Sequence, residues 1–116
     1  MVIGYNEPVF AIGVVARIVG VHPQTLRIYE RRELIRPYRS RGNIRLYSRR
    51  DIERLLKIKE WIDDLGINLA GVEVLSRLTD RVGELERQLE ELTSEVVRLR
   101  NAERSLPGPG AVREES

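Results

Sequence analysis

The chain has 116 residues, one histidine, no cysteine, and 20 basic against 18 acidic side chains, a formal net charge of +2. That length allows one small domain with an appendage, and the absence of thiols excludes disulfide staples and thiolate metal centres. The charge is uneven: residues 17–50 hold ten arginines against Glu30 and Glu33, a net +8, whereas residues 51–116 hold ten basic and fifteen acidic side chains, a net −5.

Ile12, Val15, Ala16 and Val19, spaced by three and four, mark the inner face of a first helix. Gly20 suits the positive φ of a tight turn, and Pro23 suits the first position of a second helix. His22 then falls at the N-cap, where Ser or Thr is more usual. Gln24, Thr25 and Arg27 lie near the start of that helix, the end that a recognition helix pushes into the major groove. The competing reading is an amphipathic hairpin with no DNA role. The clustered arginines weigh against it, because a basic half joined to an acidic half is the footprint of a nucleic-acid reader with a separate second function. Arginine in place of lysine favours forked recognition of phosphates and guanine edges.

Gly42-Asn43 is a candidate two-residue hairpin turn, because both residue types tolerate positive φ. Its flanks would form a small β-wing that presents Arg39, Arg41 and Arg45 to phosphates, with Asn43 at the turn and Tyr47 adding a hydroxyl contact. An ordinary polar loop is the alternative. Ser48 and Asp51 fit a capping box at the start of a helix striped with Ile52, Leu55, Leu56, Ile58, Ile62 and Leu65, with Trp61 beside the stripe as a core contact. Gly66 is placed to close it. Asn68 caps a next, short helix carrying Leu69, Val72 and Leu75.

From there the pattern is a strict heptad. Leu75, Leu78, Val82, Leu85, Leu89, Leu92, Val96 and Leu99 alternate spacings of three and four without a break, a coiled-coil signal. These positions span roughly 37 Å of helix, and Gly83 lies off the seam. A lone helix would leave the seam wet, so a partner strand is expected, most simply a second copy. The Pro-Gly-Pro-Gly stretch that follows Leu106 and the charged end read as a disordered tail.

The order of helix, turn, Thr25-Leu26-Arg27-Ile28-Tyr29-Glu30-Arg31-Arg32, Leu34, wing ending Arg45-Leu46-Tyr47-Ser48, then Asp51-Ile52-Glu53-Arg54-Leu55 resembles the MerR family of winged helix-turn-helix regulators. The match runs from about residue 9 to residue 75. Within it, His22-Pro23-Gln24-Thr25-Leu26-Arg27, Gly42-Asn43 and Asn68-Leu69-Ala70-Gly71-Val72 are similar to the HspR branch of heat-shock repressors. The resemblance implies that Arg17, Arg27, Tyr29, Arg45 and Tyr47 meet DNA and that the coiled coil is an antiparallel homodimer. It also implies chaperone genes as targets and the chaperone DnaK as co-repressor. Three positions depart from the family pattern: Val14 in place of an acid, Ile28 in place of an aromatic, and Glu33 in place of the glycine that closes the helix.

The expected fold is mainly α: a winged helix-turn-helix DNA-binding domain with a small β-wing over residues 1–74, a coiled-coil dimerisation helix over 75–106, and a tail over 107–116. The expected function is a sequence-specific transcriptional repressor that binds an inverted repeat of double-stranded DNA as a homodimer. A MerR-type activator that distorts promoter DNA is one alternative, and a coiled-coil adaptor whose basic head binds an acidic protein is another. The candidate DNA contacts are Arg17, His22, Gln24, Thr25, Arg27, Tyr29, Arg39, Arg41, Asn43, Arg45 and Tyr47, with His22 also a cap. No catalytic set, metal site, cofactor or small-molecule effector is expected. A single histidine with no cysteine is a poor start for a metal site, and no nucleophile–base pair or phosphate-cradling loop is visible. No apolar run reaches membrane-spanning length and no signal peptide is visible, so a cytoplasmic, nucleoid-associated protein is expected.

Overall fold

The computed structural model describes residues 2–106; the expected tail over 107–116 lies outside the described residues. The elements run β1 (Phe10–Ala11), α1 (Ile12–Val19), α2 (Pro23–Arg31), β2 (Tyr38–Arg39), β3 (Arg45–Tyr47), α3 (Arg49–Asp63) and α4 (Leu69–Ser105). The fold is therefore mainly helical with a small antiparallel sheet, as the sequence leads one to expect. That sheet has three strands in the order β1-β3-β2, with Phe10 opposite Tyr47 and Arg39 opposite Arg45. Strand β1 is an addition to the two-stranded wing read from the sequence.

Each helix boundary has a local cause. Gly20 takes φ 82° and its amide reaches the Ala16 carbonyl at 2.8 Å, the left-handed exit that glycine makes without strain. Lys59 of α3 donates to the carbonyls of Val19 (3.0 Å) and Gly20 (3.1 Å), satisfying acceptors that the end of α1 leaves open. Ser48 and Asp51 form the reciprocal capping box of α3, at 3.1 and 2.8 Å. Gly66, at φ 65°, lets the Ile67 amide return to the Trp61 carbonyl at 3.0 Å. Asn68 caps the following helix through Gly71 N–H, at 2.8 Å. That helix is not short: it runs unbroken for 37 residues from Leu69 to Ser105, because the segment holds no proline and Gly83 alone does not break it.

By packing, the chain divides into two units, Met1–Arg77 and Leu78–Ser116. The core of the first joins Val15, Ala16 and Val19 of α1 to Leu26 and Tyr29 of α2, Leu34 and Ile35 of the loop, Tyr47 of β3, Ile52, Leu55 and Ile58 of α3, and Val72 of α4. Full burial of residues such as Leu26 and Leu55 stabilises the fold by about 1.5–3 kcal/mol each. Ile62 and Trp61 pack against this core while half-buried. Leu56 and Leu65 do not join it: Leu56 falls outside the arc of α3 that faces α1, and Leu65 lies beyond the end of that helix. In the second unit, the seam residues Leu78, Val82, Leu85, Leu89, Leu92, Val96 and Leu99 are 46–65% exposed. Among the described residues no helix is long and apolar enough to cross a membrane.

Candidate nucleic-acid interface

The turn between α1 and α2 is built by residues that also shape the surface. His22 has extended backbone angles, and its Nδ1 accepts the Gln24 amide at 3.0 Å. A neutral imidazole that accepts through Nδ1 carries its proton on Nε2, so the cap turns an N–H edge outward. Beyond it, Gln24 is exposed and Thr25 and Arg27 are half-exposed. Arg27 Nη1 donates to Gln24 Oε1 at 3.2 Å, which steadies the guanidinium and leaves the Gln24 amide N–H groups free to donate. An Arg–Gln pair of this kind can address guanine and adenine edges in the major groove. Arg17 is exposed on α1.

Two of the expected contacts are buried. Tyr29 is only 7% exposed, and Tyr47 is fully buried. Tyr29 lies three residues after Leu26 and so shares the inner face of α2. Tyr47 is turned into the core because it lies on the face of β3 that packs against the helices, with Phe10 directly opposite on β1. Burial pushes both hydroxyls above the usual tyrosine range, Tyr29 helped by Asp63 and Tyr47 by Glu30. The Tyr47 hydroxyl is buried without a hydrogen-bond partner. The tyrosine that the wing does expose is Tyr38, at 57%, which the sequence reading passed over.

The wing turn also differs from expectation. Only Asn43 takes positive φ, 59°, and Gly42 does not. The loop spans three residues, Arg41–Asn43. Its ends are tied by Asn43 N–H to the Ser40 carbonyl (2.8 Å), Ser40 N–H to the Ile44 carbonyl (3.0 Å) and Ile44 N–H to Ser40 Oγ (3.2 Å). Asparagine supports the left-handed position because its short side chain tolerates it. Arg41 and Asn43 are exposed near the tip. Arg39 and Arg45 are not free: both donate to Glu30 of α2, at 2.9 and 3.1 Å.

Further residues that hold the surface were not visible as motifs. Arg54 donates to the Leu34 carbonyl at 2.6 Å, and Arg32 pairs with Glu73 at 2.8 Å, tying the end of α2 to the start of α4. The segment before β1 packs on α3: Arg50 N–H reaches the Tyr5 carbonyl at 3.1 Å, and the Tyr5 hydroxyl donates to Glu53. The apolar run Val9-Phe10-Ala11 was the available signal for β1; the ion pairs, spanning up to 41 positions, had none.

The sequence matches the family described as MerR HTH family regulatory protein over residues 10–78. It is 45% identical over 89 residues to a protein named for heat shock, HspR of Streptomyces coelicolor, across 77% of this chain and 59% of that protein. The chain thus spans less than two thirds of that relative. Among solved structures, it superposes with a TM-score of 0.56 on the transcription regulator PbrR691 from Ralstonia metallidurans, solved with lead(II), at 29% identity over 82% of this chain and 80% of that one. A TM-score of 0.54 relates it in fold to HiNmlR, a MerR family regulator lacking the sensor domain and bound to promoter DNA, at 18% identity over 80% of this chain and 76% of that one. With the helix-turn-helix, the wing and the long following helix all in place, the chain belongs to the MerR family of helix-turn-helix regulators.

Proposed function

We propose that the protein represses transcription of heat-shock genes by reading an inverted repeat of double-stranded DNA as a homodimer. The observation that carries the DNA-reading part is the exposed start of α2, where His22, Gln24 and the Gln24-braced Arg27 stand beside a wing bearing Arg41 and Asn43. Arg17 on α1 adds a phosphate contact. Arg39 and Arg45 remain candidate backbone contacts through the parts of their guanidiniums that Glu30 does not occupy, whereas Tyr29 and Tyr47 act through the core. The homodimer reading rests on the exposed seam from Leu78 to Leu99, and its antiparallel orientation on the family resemblance. A twofold pair of recognition helices calls for a twofold operator. The heat-shock assignment rests on the 45% identity to HspR, and DnaK as co-repressor follows from the same resemblance. Titration of DnaK by unfolded protein would then relieve repression, in the cytoplasm at the nucleoid.

Fluorescence anisotropy on the DNA upstream of the protein's own gene, against a scrambled duplex and with or without DnaK, tests each part. A large specific-to-random ratio that rises with DnaK is expected. A ratio indifferent to DnaK removes the co-repressor and leaves the regulator. Equal, weak binding to both duplexes, repeated on DNA selected from a randomised pool, would refute sequence reading and favour a protein-binding adaptor.

A further inference from the structure

The two arginines of the wing strands are already engaged inside the protein. Glu30, in the last turn of α2, accepts from Arg39 Nη2 at 2.9 Å and from Arg45 through both Nη2 (3.1 Å) and Nε (3.2 Å). Arg39 donates a second hydrogen bond to the Asn43 carbonyl near the wing tip, at 3.2 Å. The Glu30 side chain is 20% exposed and that of Arg45 24%, so the network lies at the edge of the DNA-facing surface with its charges partly desolvated. One carboxylate on the recognition helix therefore faces two guanidiniums, one from each strand of the wing.

We propose that Glu30 is a specificity-determining residue. It fixes the wing against the recognition helix and withholds two arginines from indiscriminate phosphate binding. The inference rests on the DNA-reading function proposed above. On random DNA, phosphate neutralisation supplies essentially all of the binding. A carboxylate that competes with phosphates for Arg39 and Arg45 weakens such binding directly. On an operator, base-edge contacts from Arg27 and Gln24 add to the phosphate contacts and depend on the helix being held at the right angle to the wing. Glu30 thus lowers the random affinity more than the specific one. The charge-assisted fork through Nε and Nη2 of Arg45 has the directionality to do this, which a diffuse surface charge lacks.

The test compares the wild type with Glu30→Gln, which keeps the side-chain shape and removes the charge. The probes are a duplex selected from a randomised pool by the wild-type protein and a scrambled duplex of equal composition, each titrated over a range of salt. The variant should bind scrambled DNA at least about tenfold more tightly per protomer near 0.1 M salt, with a log–log salt slope steeper by about one for each of the two arginines that gains a phosphate. The selected duplex should gain less, so the ratio narrows. A role confined to stability would lower the melting temperature without steepening the slope. Glu33→Gln removes the same charge three positions along and outside the network, and should leave slope and ratio unchanged. The proposal is overturned if Glu30→Gln keeps the wild-type slope and ratio, or if Glu33→Gln shifts them equally. Should Glu30→Gln not fold, Glu30→Asp serves instead: its shorter side chain cannot span both arginines, and an unchanged ratio is again decisive against the proposal. If the wild type selects no duplex from the pool, the DNA-reading function itself fails and this inference falls with it.

Discussion

Glu33 should be more stable as glycine. It follows the last turn of α2 with φ 59°, its amide bonded to the Glu30 carbonyl at 3.0 Å and the next amide, of Leu34, returning to Tyr29 at 2.9 Å. This is the left-handed helix exit that glycine ordinarily makes, and it leads straight into the buried pair Leu34 and Ile35. Left-handed backbone costs an L-residue about 1–2 kcal/mol. Glycine avoids that cost but loses roughly 0.5–1 kcal/mol more chain entropy on folding. The Glu33 side chain is exposed, so its removal leaves no cavity, and the net gain is about 0.5–1 kcal/mol. At roughly 4–8 °C per kcal/mol for a small domain, the melting midpoint of Glu33→Gly should rise by about 2–8 °C. Circular dichroism melts at one fixed protein concentration measure this, since any self-association makes the midpoint concentration-dependent. Glu33→Ala is the control: it deletes the same carboxylate and keeps the strained backbone. A midpoint for Glu33→Gly at or below that of the wild type would refute the reasoning, as would an equal rise in Glu33→Ala.

Arg27→Ala should lose about 1–3 kcal/mol on the selected duplex and relax preference at one base position; unaltered discrimination would remove Arg27 from base reading. Tyr47→Phe deletes a buried hydroxyl with no partner, so stability should rise by about 1 kcal/mol with DNA affinity unchanged, and a comparable loss in denaturant titrations would mean that the hydroxyl is satisfied. Burial raises the Tyr29 and Tyr47 pKa values above the ordinary 10.0. Their contribution to stability is therefore fully present below that pH and lost as pH rises through the folded-state values; a stability that is flat across this alkaline window would contradict it. Leu89→Glu places a charge on the seam and should dissociate the proposed homodimer, read by light scattering after size exclusion; an unchanged mass would exclude the heptad seam as the interface.

The parts of this molecule that were legible in its sequence are those governed by short-range periodicity and capping chemistry. The spacing of Val15, Ala16 and Val19 placed the inner face of α1, Ser48 with Asp51 marked the start of α3, and Gly20 and Gly66 marked helix ends. His22 was readable as a cap because Pro23 leaves few other roles for the residue before it. What was not legible depends on partners far along the chain. Whether Tyr47 points out or in is decided by the helices that cover one face of the sheet, among them α1 with Val15 more than thirty positions away, since a strand alone offers two equivalent faces. The same ambiguity hid Tyr38. Gly42 looked like the special backbone position, but the loop is one residue longer and Asn43 takes the positive φ.

Glu30 is the deepest of these cases. In a basic stretch a single acid reads as dilution of charge, and counting ten arginines against two glutamates treats every cation as available. The fold makes the acid matter by position: it sits where a helix turn faces both strands of the wing, and it engages two of the ten. The net charge of a DNA-binding surface is therefore a poor measure of its reach toward phosphate. What counts is how many of its arginines remain unclaimed once the wing is tied to α2: Glu30 engages Arg39 and Arg45, and Glu73 engages Arg32.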